Sequence, residues 1–541
     1  MKRYINKLML SGVAVASLIF TASCDGDYLD TYPTESVATA TAVGSTTNAY
    51  KALNGLAYIM TTQHSYYGQG FCGENYVMVR TEEYPGDNYN YNYLATGWSP
   101  LFNGTFNTED ARSYNHYIWY YYYQLISGAN SIIMNIDDAT GADKDKEFIK
   151  ASALTFRAFA YEKLCRYYCK RWVDSGNGSS QGVVLRLDES TGGLPYSTLA
   201  ECYAQIYKDC EEAISLFKSS GLNRTSSEVW IPNINVAYAV YARAALNRLD
   251  YATALTNAQL AEDGFPLMSN TDYLAGFMRP TSEWIFGSYG DATENHWYWT
   301  YGTQYSCNGY YAGKYAYGAG AIQRELINRI PNTDVRKSLF LSEEKFPDYA
   351  SEFLPTSSDK YMQTYCIMGL TNSKFKAAVA KYVTSMVSDA YKAGYYYLGG
   401  QLKFQVFDTP GVSYLPFIRT SEMVLIEAEA NYKLGKTADA QAALIKLNKT
   451  SGRNTSYTCE KTGDALWQEI KDYRKLELFG EGFNWSDLKR WKDSVVRTTF
   501  ANGGNCHAST AITIAPTDVN EWVWVVPKAE IDYNDCLKNP E

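Results

Sequence analysis

The sequence predicts a mainly α fold. The scaffold is a tetratricopeptide-like helical repeat of about four helix pairs, interrupted by long insertions of irregular loop and short strand. Three observations predict it. Apolar residues recur at helical spacing in several segments. Two stretches, "INVAYAVYARAALNRLDYATALTNAQLAEDG" and "RTSEMVLIEAEANYKLGKTADAQAALIKLNKTSG", share one order of Ala-rich helix, Leu, short turn and second helix. Between the helical segments lie residues 61–112 and 266–415, rich in Gly, Tyr, Asn, Ser and Thr.

The chain of 541 residues opens with Lys2, Arg3 and Lys7, then an apolar run from Leu8 to Phe20. Those 13 residues are too few to span a bilayer as a mature helix. Ala22 and Ser23 then precede Cys24. Residues 1–23 thus have the form of a secretory signal that ends in Cys, with Cys24 as the acylated first residue. Removing them takes away three positive charges, so the mature balance is 46 − 58 = −12. Such a balance, with no Lys/Arg run, gives no nucleic acid a surface to bind. No later segment is long and apolar enough to cross a bilayer.

Helical periodicity follows in order. Asn48 to Met60 is short. Tyr114 to Ile136 shows an apolar face at Ile118, Leu125, Ile132, Ile133 and Ile136. Lys146 to Trp172 is rich in Ala and rings, and Tyr196 to Ser219 carries Ile206, Ala213, Ile214 and Phe217. The two Ala-rich stretches each predict a helix pair, joined at Arg248–Asp250 and at Gly435–Thr437. Small residues at such crossings let antiparallel helices pack closely. Within the second insertion, Lys403 to Phe407 alternates like a short strand. In "DALWQEIKDYRKLELFGEGFNWSDLKRW" a helix runs to about Phe479 and ends at Gly480 and Gly482. Asn484 is positioned to cap the next helix, with Asp487 answering it.

Apart from Cys24, ten Cys remain, at 72, 165, 169, 202, 210, 307, 366, 459, 506 and 536. Cys165 and Cys169 lie one helical turn apart. The four His residues (64, 116, 296 and 507) stand at no ligand spacing to them. Buried apolar thiols fit better than a metal site.

The C-terminal quarter resembles the SusD/RagB family of Bacteroidetes outer-membrane lipoproteins. Its W-x-D-L-x-R-W segment is Trp485, Asp487, Leu488, Arg490 and Trp491. Its P-x-x-E-I-x-x-N tail is Pro527, Glu530, Ile531 and Asn534. "YLDTYPTE" after Cys24 and "RTSEMVLIEAEANYKLG" also look like family segments. Only Arg474 and Lys475 stand where many members carry more Arg. These motifs are read as structural, through buried Arg–carboxylate pairs and capping.

The resemblance implies a chain whose residues 24–541 form one SusD-like domain. It divides into an N-terminal helical part (24–265), a central aromatic-rich insertion (266–415) and a C-terminal helical part with tail (416–541). It also implies a lipid-anchored outer-membrane protein, facing the cell exterior. The acidic run Asp25, Asp27 and Asp30 is similar to the family's surface-export signal. Its partner would be a SusC-like TonB-dependent β-barrel transporter, to which it passes an oligosaccharide or, in some members, a peptide.

Sugars present a C–H face and a hydroxyl edge, so their sites pair aromatic plates with a few polar groups. Two regions fit. The first holds Arg80, Asp87, Tyr89, Tyr91, Tyr93, Trp98 and Asn103. The second is "HWYWTYGTQYSCNGYYAGKYAYGAG", with two Trp and seven Tyr in 25 residues, led by Trp297, Trp299, Tyr301 and Tyr305. Tyr117–Tyr123 wraps a whole helix circumference, so part of it must be core, and Tyr395–Tyr397 is a less promising set, expected at most at the edge of the site. No G-x-S-x-G elbow, H-E-x-x-H helix or Walker loop occurs. The chain is expected to be no enzyme and to use no cofactor, with a structural Ca²⁺ in an insertion left open. The alternatives are an extracellular glycoside hydrolase with two carboxylates about 5–10 Å apart, a peptide-binding relative, and an adaptor that binds only protein. The aromatic insertions speak against the adaptor.

Overall fold

The structure is a computed structural model that describes residues 43–64, 66–68, 70–91, 99–289, 300–306, 309, 320–345, 374, 377–378, 381–382, 400–407, 411–506, 508, 510–517 and 520–537. Its longer helices are α1 (Thr46–Ile59), α2 (Ser113–Asn135), α3 (Asp143–Tyr168), α4 (Leu199–Ser220) and α5 (Ile234–Asn247). They continue with α6 (Tyr251–Ala261), α7 (Thr420–Lys433), α8 (Thr437–Ile445), α9 (Gly463–Glu477) and α10 (Asn484–Trp491). From α2 to α8 each packs on the next in chain order, α1 lies on α2 and α3, and α9 on α7. The mainly helical, repeat-like expectation therefore holds.

Local chemistry starts these helices within a few residues of the predicted segments. Ser45 accepts from the Asn48 amide at α1, and Asn233 from the Val236 amide at α5. A reciprocal capping box of Thr198 and Glu201 opens α4. Asp250 accepts from the Thr253 amide and so turns α5 into α6. Each such cap is worth about 0.5–2 kcal/mol. Helix α3 is buried on nearly all sides, as is α7 up to Asn431. Their Ala residues let neighbouring helices approach from several directions at once.

Charged residues inside this stack are paired across helices. Arg157 of α3 forks onto Asp209 of α4 at 2.7 and 2.8 Å and reaches Asn130 of α2 at 2.9 Å. Arg243 of α5 grips Glu422 of α7 with two bonds of 2.6 Å. In the W-x-D-L-x-R-W segment, Asp487 binds Arg474 at 2.5 Å and Arg490 at 3.0 Å, and Arg490 also binds Glu429. In the tail, Glu530 accepts from the Trp119 indole at 3.3 Å, and Asn534 donates to the Leu194 carbonyl at 3.0 Å. The structural reading of both motifs fits this geometry.

Among the described residues, six short strands form three antiparallel pairs. They are β1 (Tyr89–Tyr91) with β3 (Gly320–Ile322), β2 (Trp284–Gly287) with β4 (Pro416–Arg419), and β5 (Val495–Val496) with β6 (Thr513–Ile514). The β2–β4 pair sets Trp284 opposite Arg419 and closes the central insertion at its base.

Behind β4 lies a fully enclosed ionic network. Arg419 binds Glu283 at 2.6 Å, Glu481 at 2.7 Å and Glu477 at 3.1 Å. Glu477 also binds Arg336 at 2.9 Å, and Arg336 binds Asp334 at 2.6 Å. Lys403 binds Glu481 at 2.5 Å, and Arg453 stands 3.7 Å from Glu283. Four cations thus face four carboxylates, and the charges cancel. Burial alone would raise the Glu477 carboxyl. Arg419, then Arg336, Arg453 and Lys403, override it and pull it down to about 2.

Two local expectations are corrected. Lys403–Phe407 is no alternating strand: residues 403–406 are all buried. Lys403 points inward, donating to the carbonyls of Glu477 at 2.7 Å and Phe479 at 2.9 Å. Asn484 does not cap α10, whose preceding residue is Phe483. Its side-chain oxygen instead accepts from the backbone amides of Asp87 at 2.6 Å and Asn88 at 3.1 Å. Those two donors outcompete the local cap. Gly86 permits the approach, because a Cβ there would lie 1.8 Å from the Asn484 oxygen.

Cys165, Cys169 and Cys202 are buried free thiols, as are Cys72, Cys210, Cys459 and Cys506, while free Cys536 is exposed. Cys24, Cys307 and Cys366 lie outside the described residues.

Removing one member of a buried ion cluster strands its partners, at a cost of about 3–5 kcal/mol. Arg419→Met should lower stability by that amount in urea denaturation. Arg112→Ala, which breaks an exposed pair with Glu109, should move it by under about 1 kcal/mol. Equal midpoints for the two variants would contradict the network's role. Because the folded pKa of Glu477 is depressed, its contribution is present above the ordinary value of 4.5 and lost as pH falls toward about 2. Stability should therefore drop between pH 4.5 and 2, and Glu477→Gln should flatten the drop in that window.

Candidate ligand-binding site

The site is built where the two Tyr-rich regions meet. After Glu74–Tyr76 the chain continues as one π-helical stretch, Val77–Glu83, and then turns through Gly86 into β1. β1 pairs with β3 in the register Tyr89 to Ile322 and Tyr91 to Gly320. The N-terminal insertion is thereby hydrogen-bonded to the central one. Their rings also touch: Tyr89 and Tyr305 lie 5.2 Å apart between centroids.

Around that contact the rings form one continuous block. Tyr89 stacks on Tyr84 at 5.6 Å, and Tyr84 on Phe102 at 4.7 Å. On the other side Tyr305 meets Phe404 at 5.8 Å and Phe479 at 6.0 Å, and Tyr301 meets Phe404 at 5.2 Å. The Tyr301 hydroxyl donates to the Gly480 carbonyl at 2.8 Å, and its amide donates to Asn75. Thr300 caps the short Tyr301–Tyr305 helix. Gly302 lets that helix lie against the chain at Gly411, whose carbonyl oxygen would sit 2.3 Å from an added Cβ.

The predicted site residues separate into three groups. Arg80, Tyr89, Tyr301 and Tyr305 are brought together but enclosed, at 4%, 1%, 1% and 3% exposure. Their rings and guanidinium are spent on one another and on the core. Arg80 donates to the Tyr84 hydroxyl and lies 4.5 Å from that ring's centroid. In this arrangement the four lie inside the block and present no face to a ligand, which corrects the ligand-facing role expected of them. Asp87 is tied down as well, with both oxygens 2.9 Å from the Lys475 ammonium. Asn103 is exposed, one residue past the Phe102 ring of the block. Trp98, Trp297 and Trp299 lie outside the described residues, as do Tyr93 and Tyr395–Tyr397. The chain enters or leaves their segments next to the block, from Tyr91 and into Thr300.

The carboxylates of the region are internal. Glu74 accepts from the hydroxyls of Tyr121 at 3.1 Å and Tyr122 at 2.8 Å. Glu82 accepts from the Tyr167 hydroxyl at 2.5 Å and the Ser486 amide at 2.9 Å. Glu83 accepts from the Gly480 amide at 3.1 Å, and burial together with the charge of Glu82 pushes its carboxyl well above the usual range. Of the Tyr117–Tyr123 cluster, Tyr117, Tyr121 and Tyr122 are core, whereas Tyr120 and Tyr123 are half-buried.

Sequence reasoning missed Phe404 and Phe479 as members of the block. Phe479 carried only the signal of a helix end, and Phe404 that of a strand. Nothing local marks either as a neighbour of Tyr305. Among the described residues, no group of three His, Cys, Asp or Glu side chains is placed to hold a metal ion. Among them, too, no helix is long and apolar enough to cross a membrane.

A model of the SusD family matches residues 282–540. A second, SusD-like model, described as starch-binding and associating with outer membrane, matches residues 27–246. No curated protein matches the chain. Solved structures share its fold. A SusD superfamily protein from Bacteroides thetaiotaomicron is 22% identical with a TM-score of 0.69, covering 92% of this chain and 100% of that one. A SusD-like carbohydrate-binding protein from Bacteroides vulgatus is 21% identical with a TM-score of 0.69, covering 91% and 97%. Surface glycan-binding protein A from Bacteroides thetaiotaomicron is 17% identical with a TM-score of 0.64, covering 92% and 98%. With SusD models matching on either side of residue 265 and this fold between them, the chain belongs to the SusD family.

Proposed function

We propose that this chain is a cell-surface lipoprotein that binds an oligosaccharide and delivers it to a SusC-like TonB-dependent outer-membrane transporter, without catalysis. The observation that carries this reading is the junction of Tyr89 with Tyr305 and of β1 with β3. It gathers two aromatic insertions, separated by about two hundred residues, at one place on a rigid helical scaffold. Sites on loops held by such scaffolds are the usual place for recognition. Two relatives of this fold are described as carbohydrate- or glycan-binding proteins, which supports the same ligand class. The internal hydrogen bonding of Glu74, Glu82, Glu83 and Asp87 favours binding over glycoside hydrolysis, which needs two acids across an open cleft.

On this reading Trp297 and Trp299 stack on sugar, with Trp98 and Asn103 completing the surface. The acyl chains on Cys24 hold the protein at the membrane.

Pure protein incubated with a panel of glycans should bind at least one and release no reducing sugar; product formation would overturn the non-catalytic reading. Trp297→Ala with Trp299→Ala should weaken binding by roughly 1–3 kcal/mol per ring, by analogy with aromatic stacking on bases, and leave stability unchanged. Tyr305→Ala should do the opposite, costing about 3–5 kcal/mol of stability as a buried ring deletion. Unchanged affinity in the double Trp variant would move the site. Cys24→Ser should shift the protein from the membrane to the soluble fraction on cell fractionation, and continued membrane association would refute the lipid anchor.

A further inference from the structure

A cleft elsewhere on the chain is lined by none of the rings of the aromatic block. One wall is the short helix Arg324–Arg329 with the turn after it, and the other is α9 with the loop before it. It encloses about 370 Å³, within the range of small-ligand pockets. That is room for a ligand of mono- or disaccharide size.

Its floor is apolar and aromatic. Leu326 and Leu476 are buried there, and Tyr457 meets Tyr473 edge to face at 5.2 Å. Its rim is hydroxylic, with Thr333, Ser456 and Thr458 all exposed. Helix α9 turns one face to it. Glu469, Asp472, Tyr473 and Leu476 follow the i, i+3, i+4, i+7 pattern of a single helix side.

The charges of the cleft are already matched. Asp472 stands 3.5 Å from Arg329, and Glu469 pairs with Lys461 while accepting from the Tyr457 hydroxyl at 3.0 Å. Two cations and two carboxylates leave no net charge for an ionic ligand to neutralise. They do leave donors and acceptors around an apolar floor, which suits a molecule with a C–H face and hydroxyl edges. We propose that this cleft is a second, separate binding site for a neutral sugar of one or two rings. It does not rest on the surface assigned to Trp98, Trp297 and Trp299.

The test uses the full mature chain with the double change Trp297→Ala and Trp299→Ala, which takes the first surface out of the signal. Maltose, cellobiose, lactose and glycylglycine serve as probes in saturation-transfer NMR and calorimetry. Saturable binding of at least one disaccharide is expected, weakened tenfold or more by Thr458→Trp or by Thr333→Trp. Both are exposed positions where an indole would fill the cleft without entering the core. Binding of glycylglycine alone, no binding of any disaccharide, or binding indifferent to both cleft-filling variants would overturn the proposal. The parent chain carrying only Thr458→Trp reports on the first surface, so failure of one site is distinguishable from failure of the other.

Discussion

Arg419 is the residue on which the rest of the molecule leans. It is completely buried, at the end of β4 and the start of α7, and its guanidinium holds Glu283, Glu477 and Glu481 at once. Those three acids come from the base of the central insertion, the end of α9 and the turn toward α10. Arg336 and Lys403 bring two further parts of the insertion to the same carboxylates. A fully buried ionic cluster is sensitive to the loss of any member, because each charge left unpaired would bear its full desolvation cost. The insertion is therefore fixed to the scaffold at a point rather than draped over it.

The high tyrosine content has two distinct uses. Inside the scaffold, phenols require acceptors, and the structure supplies buried ones: Glu74 serves Tyr121 and Tyr122, Glu82 serves Tyr167, and the Gly480 carbonyl serves Tyr301. A buried hydroxyl with a charged acceptor adds directionality that a Phe core would lack. At the junction of the insertions the rings also serve by packing on one another. Tyr84, Tyr89 and Tyr305 form an internal block with Phe102, Phe404 and Phe479.

Much of the fold was legible. The helical segments 48–60, 114–136, 146–172 and 196–219 were read to within a few residues of their observed bounds, because helical periodicity is a local property. The Ala-rich pairs were legible for a similar reason, since their periodicity and turns are local. The same cannot be said of Asn484. Its composition fits a cap, yet its partners are the amides of Asp87 and Asn88, almost four hundred residues away. Lys403 looked like the polar side of a strand and proved to be the centre of a carbonyl cage. In both cases a distant group competed with the local one and won, and no window of sequence contains that competitor.

For the site, the sequence by itself determined which residue types gather and in which two regions, because aromatic and amide composition is visible directly. It also determined the family's terminal motifs and the paired charges within them. Only the tertiary structure decided which rings are spent inside. Tyr301 and Tyr305 stand in the same aromatic run as Trp297 and Trp299, but their faces are taken by Phe404, Phe479 and Tyr89. Whether a ring is support or surface depends on what packs against it, and that packing comes from elements brought together by β1–β3, β2–β4 and the charges around Arg419.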